Sequence, residues 1–467
     1  MKTKTKNLLY FSLYAILNII LLFQIIRINL LPPLYLAGAI LVMLLLAALI
    51  YFSLVKSNKK SLNNMTKFFT LLLSLILLVA NVYIYRAGSF LNNISSGVSK
   101  KDTVSVVVSK DSPYESLEDV KDLTFGKEDE GEEIVLEAIK DFEKELNEVI
   151  ITKDFEDYPQ LASSLISGDS EVIILNEAFR NIVEDEIENF SEETKVIHEF
   201  NKKTVIKRPE KKVTKEGFTV MISGIDVYGS ISNNSRSDVN ILATVNPKTK
   251  EVLLVSIPRD YYLPLGCQTG ALDKLTHSGI YGVDCTMKTV GNALDVDIDY
   301  YARVNFSSLI NVVEAVGGVT VNVEAPFSTG KYSFPAGENY LDGNKALEFV
   351  RDRYHQEGGD RGRGRNQMKV ITALINRMTS PAIITNYSSV LNSLEGSFQT
   401  NMSSKDITSL VKMQLNDMSG WNITEMQVDG SGGSDFAYAL GGYAYVMYPN
   451  QETVDAAKLA IDNTLAN

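Results

Sequence analysis

Residues 218–226 read FTVMISGID, and the apolar residues that open this stretch predict a buried β-strand. Strand-like runs and helical runs alternate along the chain after it. The strand-like runs are residues 240–245, 252–257 and 319–323, and the helical runs are residues 309–316, 346–350 and 369–378. This alternation predicts an α/β fold with a mixed central sheet that is covered by helices.

Charged residues stand at the ends of these strands. Asp226 follows the first strand, and Arg259 follows the third in the segment Ser-Ile-Pro-Arg-Asp. Arg236 and Asp238 come just before the second strand, in the triplet Arg-Ser-Asp. Ligands of α/β sheets bind beyond the carboxyl ends of the strands. These four residues are therefore candidate binding residues.

A second group of charges lies further along the chain. Arg351 and Arg353 end a helical run, and residues 358–365, GGDRGRGR, are interpreted as a loop that contains Arg363. Gln367 follows this loop. Each piece alone has an ordinary explanation, because arginines commonly complement the dipole at helix ends and Gly-Arg runs are typical of solvated loops or RNA-binding repeats. The functional interpretation therefore depends on the whole set.

Together these residues indicate phosphoryl chemistry. Arginine makes planar, bidentate contacts with phosphate oxygens, and several arginines together can neutralise a pyrophosphate. Paired carboxylates, here Asp226 and Asp238, can hold Mg²⁺, which bridges phosphate oxygens and offsets charge in the transition state. The sequence therefore predicts a magnesium-dependent site that acts on a diphosphate.

A smaller unit precedes this domain. Residues 100–208 are predicted to form a small α/β accessory domain, in which the sequence shows no catalytic constellation. Its predicted strands are residues 104–108 and 172–175, and its predicted helices are residues 132–149 and 181–190. A charged linker, residues 201–216, leads to the catalytic domain, residues 217–467, whose motifs lie within residues 218–378. The last eighty or so residues are interpreted as completing the catalytic domain.

Three apolar runs precede the accessory domain, at residues 8–26, 34–55 and 68–85. Each is close to the ~20 residues that a helix needs to cross a bilayer. Lysines flank the first run and fill the link between the second and third, and positive residues stay in the cytoplasm. Residues 1–90 are therefore predicted to form three transmembrane helices with a cytoplasmic N-terminus, and both later domains are expected outside. A cleaved signal peptide fits the first run poorly, since two more spans follow.

The formal net charge of −12 over 467 residues bears on the choice of ligand. Because the N-terminal part is basic, the remainder is more acidic than this total, which argues against nucleic acid and against non-specific binding to anionic lipid. Any anion must then be bound by a local basic cluster. The two cysteines, Cys267 and Cys285, allow either a disulfide or two free thiols.

Residues 218–378 resemble the LytR-CpsA-Psr family of Gram-positive cell-envelope enzymes, because several short segments occur in the family's order. They are Ser-Gly-Ile-Asp, Arg-Ser-Asp, Ser-Ile-Pro-Arg-Asp, Val-Gly-Gly-Val, Tyr-Ser-Phe-Pro-Ala-Gly with Leu-Asp-Gly, Ala-Leu-Glu-Phe-Val-Arg-Asp-Arg and the Gly-Asp-x-Gly-Arg loop. No single segment is decisive, but the ordered series is highly specific. The three spans and the unit before the catalytic domain are most similar to the capsule-associated (CpsA) branch.

The resemblance implies transfer of a capsular or related glycopolymer from a polyprenyl-pyrophosphate carrier to peptidoglycan, through a phosphodiester bond. A pyrophosphatase side activity would use the same site. The resemblance assigns Asp226 and Asp238 to Mg²⁺, and it assigns the pyrophosphate to the residues Arg236, Arg259, Arg351, Arg353, Arg363 and Gln367. Asp226, Asp238, Arg259, Arg351 and Arg353 form the catalytic set, in which either aspartate is a candidate general base.

Two points of this assignment stay open. The family often has Arg-Gln-Gln after the loop, whereas this chain has Asn-Gln-Met at residues 366–368, which makes Arg365 an alternative and weakens the assignment of Gln367. The polyprenyl chain needs an apolar tunnel, for which residues 309–316 and 370–378 are candidates, although apolar helix faces are more often packed core.

A membrane-bound regulator or assembly module of capsule biosynthesis, without catalysis, is the alternative function. The predicted topology opposes transcriptional control, because only the N-terminal tail and one short loop would face the cytoplasm. Contacts with other capsule-assembly proteins fit either role, and a cytoplasmic C-terminus would favour the regulator.

Overall fold

The computed structural model describes most of the chain. The described residues are 2–29, 31–57, 60–96, 99–129, 132–205, 209–225, 231, 234–355, 358–380 and 398–466.

Three long helices form the N-terminal part. They are α1 (Lys2–Ile28), α2 (Pro33–Tyr51), which a π-helical turn (Phe52–Lys56) continues, and α3 (Lys60–Ser96). Each contains a segment long and apolar enough to cross a membrane. The side-chain amide of Asn81 donates to the carbonyl oxygen of Leu17 (3.1 Å), and such polar contacts help hold membrane helices together.

The accessory domain is a five-stranded sheet in the order β3-β2-β4-β1-β5. Its strands are β1 (Ser99–Ser109), β2 (Thr124–Glu128), β3 (Ile151–Phe155), β4 (Val172–Asn176) and β5 (Thr194–Val205). Its helices are α4 (Glu133–Leu146), α5 (Tyr158–Ser167), α6 (Arg180–Glu186) and α7 (Phe190–Glu193). The two predicted strands lie within β1 and β4, and both are buried.

The linker predicted at residues 201–216 starts too early, because β5 continues to Val205. Its first five residues belong to β5, where Asn201 pairs with Thr103 of β1. These residues look like a linker because β5 is an edge strand, on which charged side chains reach solvent or helix partners. Lys202, for example, forms an ion pair with Glu137 of α4 at 2.6 Å.

The catalytic domain is built on a six-stranded sheet in the order β16-β11-β6-β7-β8-β17. The strands of the domain are β6 (Phe218–Ile225), β7 (Ser237–Asn246), β8 (Glu251–Ser256), β9 (Tyr262–Pro264), β10 (Leu272–Lys274), β11 (Tyr300–Asn305), β12 (Val319–Val323), β13 (Phe327–Ser328), β14 (Ser333–Phe334), β15 (Gly337–Leu341), β16 (Phe398–Thr400), β17 (Asn422–Gln427), β18 (Gly430–Ala437) and β19 (Gly442–Pro449). Its helices are α8 (Leu275–Ser278), α9 (Val283–Leu294), α10 (Phe306–Ala315), α11 (Gly343–Arg351), α12 (Gly359–Thr379), α13 (Ser404–Asp417) and α14 (Gln451–Ala466). The pairs β11–β6 and β17–β8 are parallel and the others antiparallel, so the sheet is mixed as expected.

Helices cover both faces of this sheet, because side chains alternate along each strand. Leu242 of β7 packs on α9 and α14, whereas its neighbours Ile241 and Ala243 pack towards Met368 of α12. The sheet is therefore the middle layer of a three-layer α/β domain, and the fold class predicted from the sequence is confirmed.

Two details differ from the sequence-based expectation. Residues 319–323 form a strand, but β12 pairs with β15 in a separate ribbon and not in the central sheet. The central sheet instead takes edge strands from the C-terminal part of the chain, since β16 pairs with β11 and β17 pairs with β8.

The structure joins Cys267 to Cys285, so of the two alternatives left by the sequence it contains the disulfide. The bond links the loop between β9 and β10 to the buried face of α9, where Cys285 packs with Leu265 and Ala271.

Candidate active site

A cavity of about 580 Å³ opens where β6, β7 and β11 meet helices α10, α11 and α12. Seven of the eight predicted site residues line it. They are Arg236, Asp238, Arg259, Arg351, Arg353, Arg363 and Gln367. The eighth, Asp226, lies outside the described residues, although Ile225, the last residue of β6 and its neighbour in the chain, lines the cavity. Residues that are far apart in the sequence are therefore gathered around one space.

The Gly-Arg run is helical, which corrects the interpretation of residues 358–365 as a loop. Helix α12 begins at Gly359 and continues to Thr379. Its cavity-lining residues are Arg363, Gln367, Val370, Ile371 and Leu374, a spacing that places all five on one helical face. Glycine disfavours helix, so the run looks like a loop in the sequence. Arg365 is not among the described residues that line the cavity.

Gly364 shows why a glycine occupies this helix. A Cβ atom added there would lie 2.7 Å from the side-chain amide nitrogen of Gln427 and 2.7 Å from the hydroxyl oxygen of Ser256. An alanine at this position would therefore require the side chains of Ser256 and Gln427 to move.

We expect Gly364→Ala to lower the free energy of unfolding by about 1–2 kcal/mol, because overpacking outweighs the gain in helix propensity. Denaturant unfolding of the protein would measure this change. Gly420→Ala is the control, since an added Cβ there meets no atom within 4 Å. Equal stability of the two variants would contradict the close approach of α12.

Asp238 and Arg259 form the centre of the polar end of the cavity. A guanidinium nitrogen of Arg259 donates to a carboxylate oxygen of Asp238 at 2.7 Å, and the hydroxyl of Thr276 donates to the same oxygen at 3.1 Å. Burial raises the pKa of the Asp238 carboxyl, but the positive charges of Arg259 and Arg236 outweigh burial and hold this pKa below its usual value. Asp238 is therefore a nearly buried, ionised carboxylate.

Two arginines keep unsatisfied donors at this end. The Nε atoms of Arg236 and Arg259 are buried, and neither has a hydrogen-bond partner among the described residues. A buried donor without a partner costs free energy, which an incoming anion would recover. These donors therefore suit phosphate oxygens.

The remaining arginines are held by aromatic rings or by a local acid. The guanidinium of Arg351 lies 4.1 Å from the ring centroid of Phe306, and that of Arg353 lies 4.9 Å from the ring centroid of Tyr354. Arg363 pairs with Asp360 at 2.6 Å. Burial lowers the pKa of Arg363, and the nearby positive charge of Arg259 lowers it further. This end of the cavity therefore concentrates positive charge that a polyanion would stabilise.

The rest of the cavity lining is apolar, and along α12 it follows Arg363 and Gln367 towards the C-terminal end of the helix. The apolar wall is formed by side chains of the sheet, of α10, of α11 and of α12, namely Ile222, Val239, Val304, Leu309, Val312, Val350, Val370, Ile371 and Leu374. The sequence offered residues 309–316 and 370–378 for a tunnel. Leu309, Val312 and Leu374 face the cavity, whereas Val313 and Val316 are packed core.

Four residues near the site were not found from the sequence. Thr276 positions Asp238, and Phe306 supports Arg351. Arg303 of β11 is buried and donates to the carbonyl oxygen of Ile231 (3.4 Å), and burial lowers its pKa to about 10. Asp185 comes from α6 of the accessory domain. Thr276, Phe306 and Arg303 stand outside any charged cluster in the sequence, and Asp185 belongs to an acidic run of the accessory domain, in which no site was expected.

Asp185 brings the accessory domain to the active site. Its carboxylate forms a short ion pair with Arg236 and lines the cavity. A neighbouring contact runs from the side-chain amide of Asn181 to the hydroxyl of Ser235 (3.0 Å), and Phe179 packs edge-on against Tyr281. The accessory domain is thus docked on the catalytic domain beside the arginines.

We expect Asp185→Asn to tighten binding of a diphosphate by about two- to fivefold, because the Asp185 carboxylate competes with the ligand for Arg236. The effect is small because the side chain of Asp185 is more than half exposed. Titration with inorganic pyrophosphate would measure this. Glu186→Gln, an exposed neighbour in the same helix, is the control. Weaker binding by Asp185→Asn would show instead that the carboxylate orients Arg236 for its ligand.

Comparison with protein-family models gives two matches. A model described as the LytR_cpsA_psr family matches residues 180–459, more than half of the chain and the whole described lining of the cavity. A second model, described as DNA polymerase processivity factor, matches residues 58–175. That range joins a membrane helix to part of the accessory sheet, so it does not follow a folding unit.

Several known proteins are similar to the chain. The polyisoprenyl-teichoic acid–peptidoglycan teichoic acid transferase TagU of Enterococcus faecalis is 35% identical over 242 residues, which are 51% of this chain and 77% of that protein. TagU of Bacillus subtilis is 39% identical over 210 residues, 44% of this chain and 67% of that protein. The crystal structure of B. subtilis TagU aligns with a TM-score of 0.42 and 32% identity, covering 54% of this chain and 97% of that one.

Proposed function

Since the chain belongs to the LytR_cpsA_psr family, we propose that it transfers a glycopolymer from a polyprenyl-pyrophosphate carrier to peptidoglycan. The polymer is a capsular or related polysaccharide, and the product is a phosphodiester. Similar proteins are named as transferases of teichoic acid to peptidoglycan. Their names support transfer of a glycopolymer to peptidoglycan as the proposal for this chain. The accessory sheet and the three N-terminal helices support the capsule-associated branch for this chain.

The observation that carries the proposal is that one cavity combines a cluster of arginines with an aliphatic wall, and the two follow one another along α12. Five arginines form the cluster, and aliphatic side chains line the rest. A polyprenyl diphosphate has the matching two parts, with a polyanionic head on a long hydrocarbon tail. Arginine forks match the phosphate oxygens and the apolar wall shields isoprenoid units from water.

The chemistry follows from this placement. A muramic acid hydroxyl attacks the phosphorus nearest the sugar, its oxygen–phosphorus bond forms, and the bond to the bridging oxygen breaks, releasing polyprenyl phosphate. The arginines stabilise the negative charge that develops on the leaving phosphate. Asp238 and Asp226 are the candidates for accepting the hydroxyl proton. Water in place of the hydroxyl would give a pyrophosphatase side activity.

Magnesium fits the described part of the site. Mg²⁺ is commonly bound by one or two carboxylates together with substrate phosphates, and Asp238 is an ionised carboxylate at the cavity. Among the described residues, no group of three or more His, Cys, Asp or Glu side chains could hold a metal ion without the substrate. Asp238 and Asp226 would therefore hold the ion together with the diphosphate, and the bound ion would offset phosphate charge.

The proposed location places both later domains outside the cell. Lys56 ends the second span, and Lys59 and Lys60 lie between it and the third, which supports a cytoplasmic position for that link and for the N-terminus. Peptidoglycan, the diphosphate of the carrier and the cavity would then all lie on the outer side of the membrane. Resistance of a C-terminal tag to protease added outside intact protoplasts would contradict this topology.

Reconstitution of the full chain with a polyprenyl-diphosphate-linked polysaccharide, peptidoglycan and Mg²⁺ tests the function. We expect polymer to become bound to peptidoglycan as polyprenyl phosphate is released in equal amount, and Asp238→Asn to abolish both. Chelation followed by Mg²⁺ addition tests the metal separately. Donor that stays intact with wild-type protein, although it binds, would favour a non-catalytic role.

A further inference from the structure

A second cavity, of about 620 Å³, lies where the membrane helices meet the catalytic domain. Its walls come from the end of α1, from residues 84–89 of α3 and from one face of α13. The membrane-spanning segments end at Ile28 and at Arg86. The cavity therefore lies at the depth where the hydrocarbon of a bilayer gives way to lipid head groups.

The charge of this cavity is one-sided. Its basic lining residues are Arg27, Lys405 and Lys412, and no acidic residue is among the described lining residues. This stands out in a chain whose formal net charge is −12. It is a local basic cluster of the kind that an anion-binding site in this protein requires.

The remaining lining residues match the other parts of a lipid head-group region. Ser404, Thr408 and Ser409 lie on the face of α13 that carries the two lysines, so the lining beside these cations is polar. Ile84 and Tyr85 form the side towards the membrane, where aromatic and aliphatic side chains favour the glycerol and upper acyl region.

The contact between the two parts of the chain holds the site in place. The ammonium group of Lys412 donates to the side-chain oxygen of Asn29 (2.9 Å), directly after α1. Lys412 is half-buried, whereas Lys405 and Arg27 are exposed. One lysine thus spans the junction while the other two cations remain available.

We propose that this cavity binds the phosphate head group of an anionic membrane lipid. The lysines and Arg27 attract the phosphate, and a zwitterionic lipid is disfavoured because its own cation would face them. Binding would fix α13, and through it the edge strand β16, against the bilayer. Because β16 pairs with β11, whose end lines the active-site cavity, the lipid would set the orientation of that cavity to the membrane.

The test measures lipid binding and does not depend on transfer activity. Full-length protein in a neutral detergent is titrated with phosphatidylglycerol, phosphatidylcholine or polyprenyl phosphate, and bound lipid is counted by native mass spectrometry. We expect a preference for phosphatidylglycerol over phosphatidylcholine. The double variant Lys405→Gln/Lys412→Gln should lower that affinity about thirtyfold, since each lysine near a lipid surface contributes about a fivefold factor.

A charge-matched variant, Lys144→Gln/Lys248→Gln, changes two exposed lysines that do not line the cavity and should bind as the wild type does. Lys405→Gln alone, which leaves the contact with Asn29, should show about a fivefold loss even if the double variant is unstable. Selective loss of phosphatidylglycerol would identify a bulk lipid as the ligand, and selective loss of polyprenyl phosphate would identify the carrier. Unchanged binding of both lipids by the lysine variants would overturn the proposal.

Discussion

Arg259→Ala should lower the rate of polymer transfer on the order of 10³-fold, because the substitution removes a phosphate donor from a buried site and takes the closest cation away from Asp238. Release of polyprenyl phosphate in the reconstituted system would measure it. Arg259→Lys should restore only part of the rate, since lysine keeps the charge but loses the planar fork.

The control for this variant is Arg361→Gln. Arg361 lies on α12, pairs with Asp429 at 2.6 Å and is about half exposed, but it does not line the main cavity. Its loss should change the transfer rate less than about threefold, in line with a surface ion pair. Full activity of Arg259→Ala, with Arg361→Gln also active, would remove the arginines from the mechanism.

The sequence predicted the placement of those candidate site residues that are charged and lie next to the end of a strand. Arg236, Asp238 and Arg259 stand beside buried strands, so the geometry of a sheet was sufficient to place them together. The apolar residues of α12 were harder to interpret. Val370 is both cavity wall and core, and periodicity alone does not separate these roles.

The errors have specific physical causes. Helix α12 was missed at its start because glycine has low helix propensity, while the contact of Gly364 with Ser256 that favours glycine is tertiary. Strand β11 was missed because a charged residue, Arg303, is buried within it. Strand β17 is an edge strand with mostly exposed polar residues, so it lacks a strand's apolar alternation.

The accessory domain shows what no local pattern could predict. Asp185 reaches Arg236 across the boundary of two sheets, and a surface carboxylate in an acid-rich helix gives no sign of such a partner. A second domain that places a negative charge beside the diphosphate site can adjust the affinity of that site for its ligand. The two domains are therefore better considered as one catalytic unit than as an enzyme with a spacer.

Leu309→Gln/Leu374→Gln should weaken binding of polyprenyl diphosphate on the order of a hundredfold or more, because two polar side chains would face the isoprenoid tail without partners. Leu309 on α10 and Leu374 on α12 are half-buried residues of the apolar wall. Binding of inorganic pyrophosphate, measured by calorimetry, should stay within about threefold of the wild type, because the arginines are untouched.

Leu309→Met/Leu374→Met keeps the volume and should bind both ligands normally. Equal loss of both ligands in the glutamine variant would indicate a collapsed site, and unchanged binding of the lipid would show that the tail lies elsewhere. Loss of the lipid with unchanged binding of pyrophosphate would place the isoprenoid tail against Leu309 and Leu374.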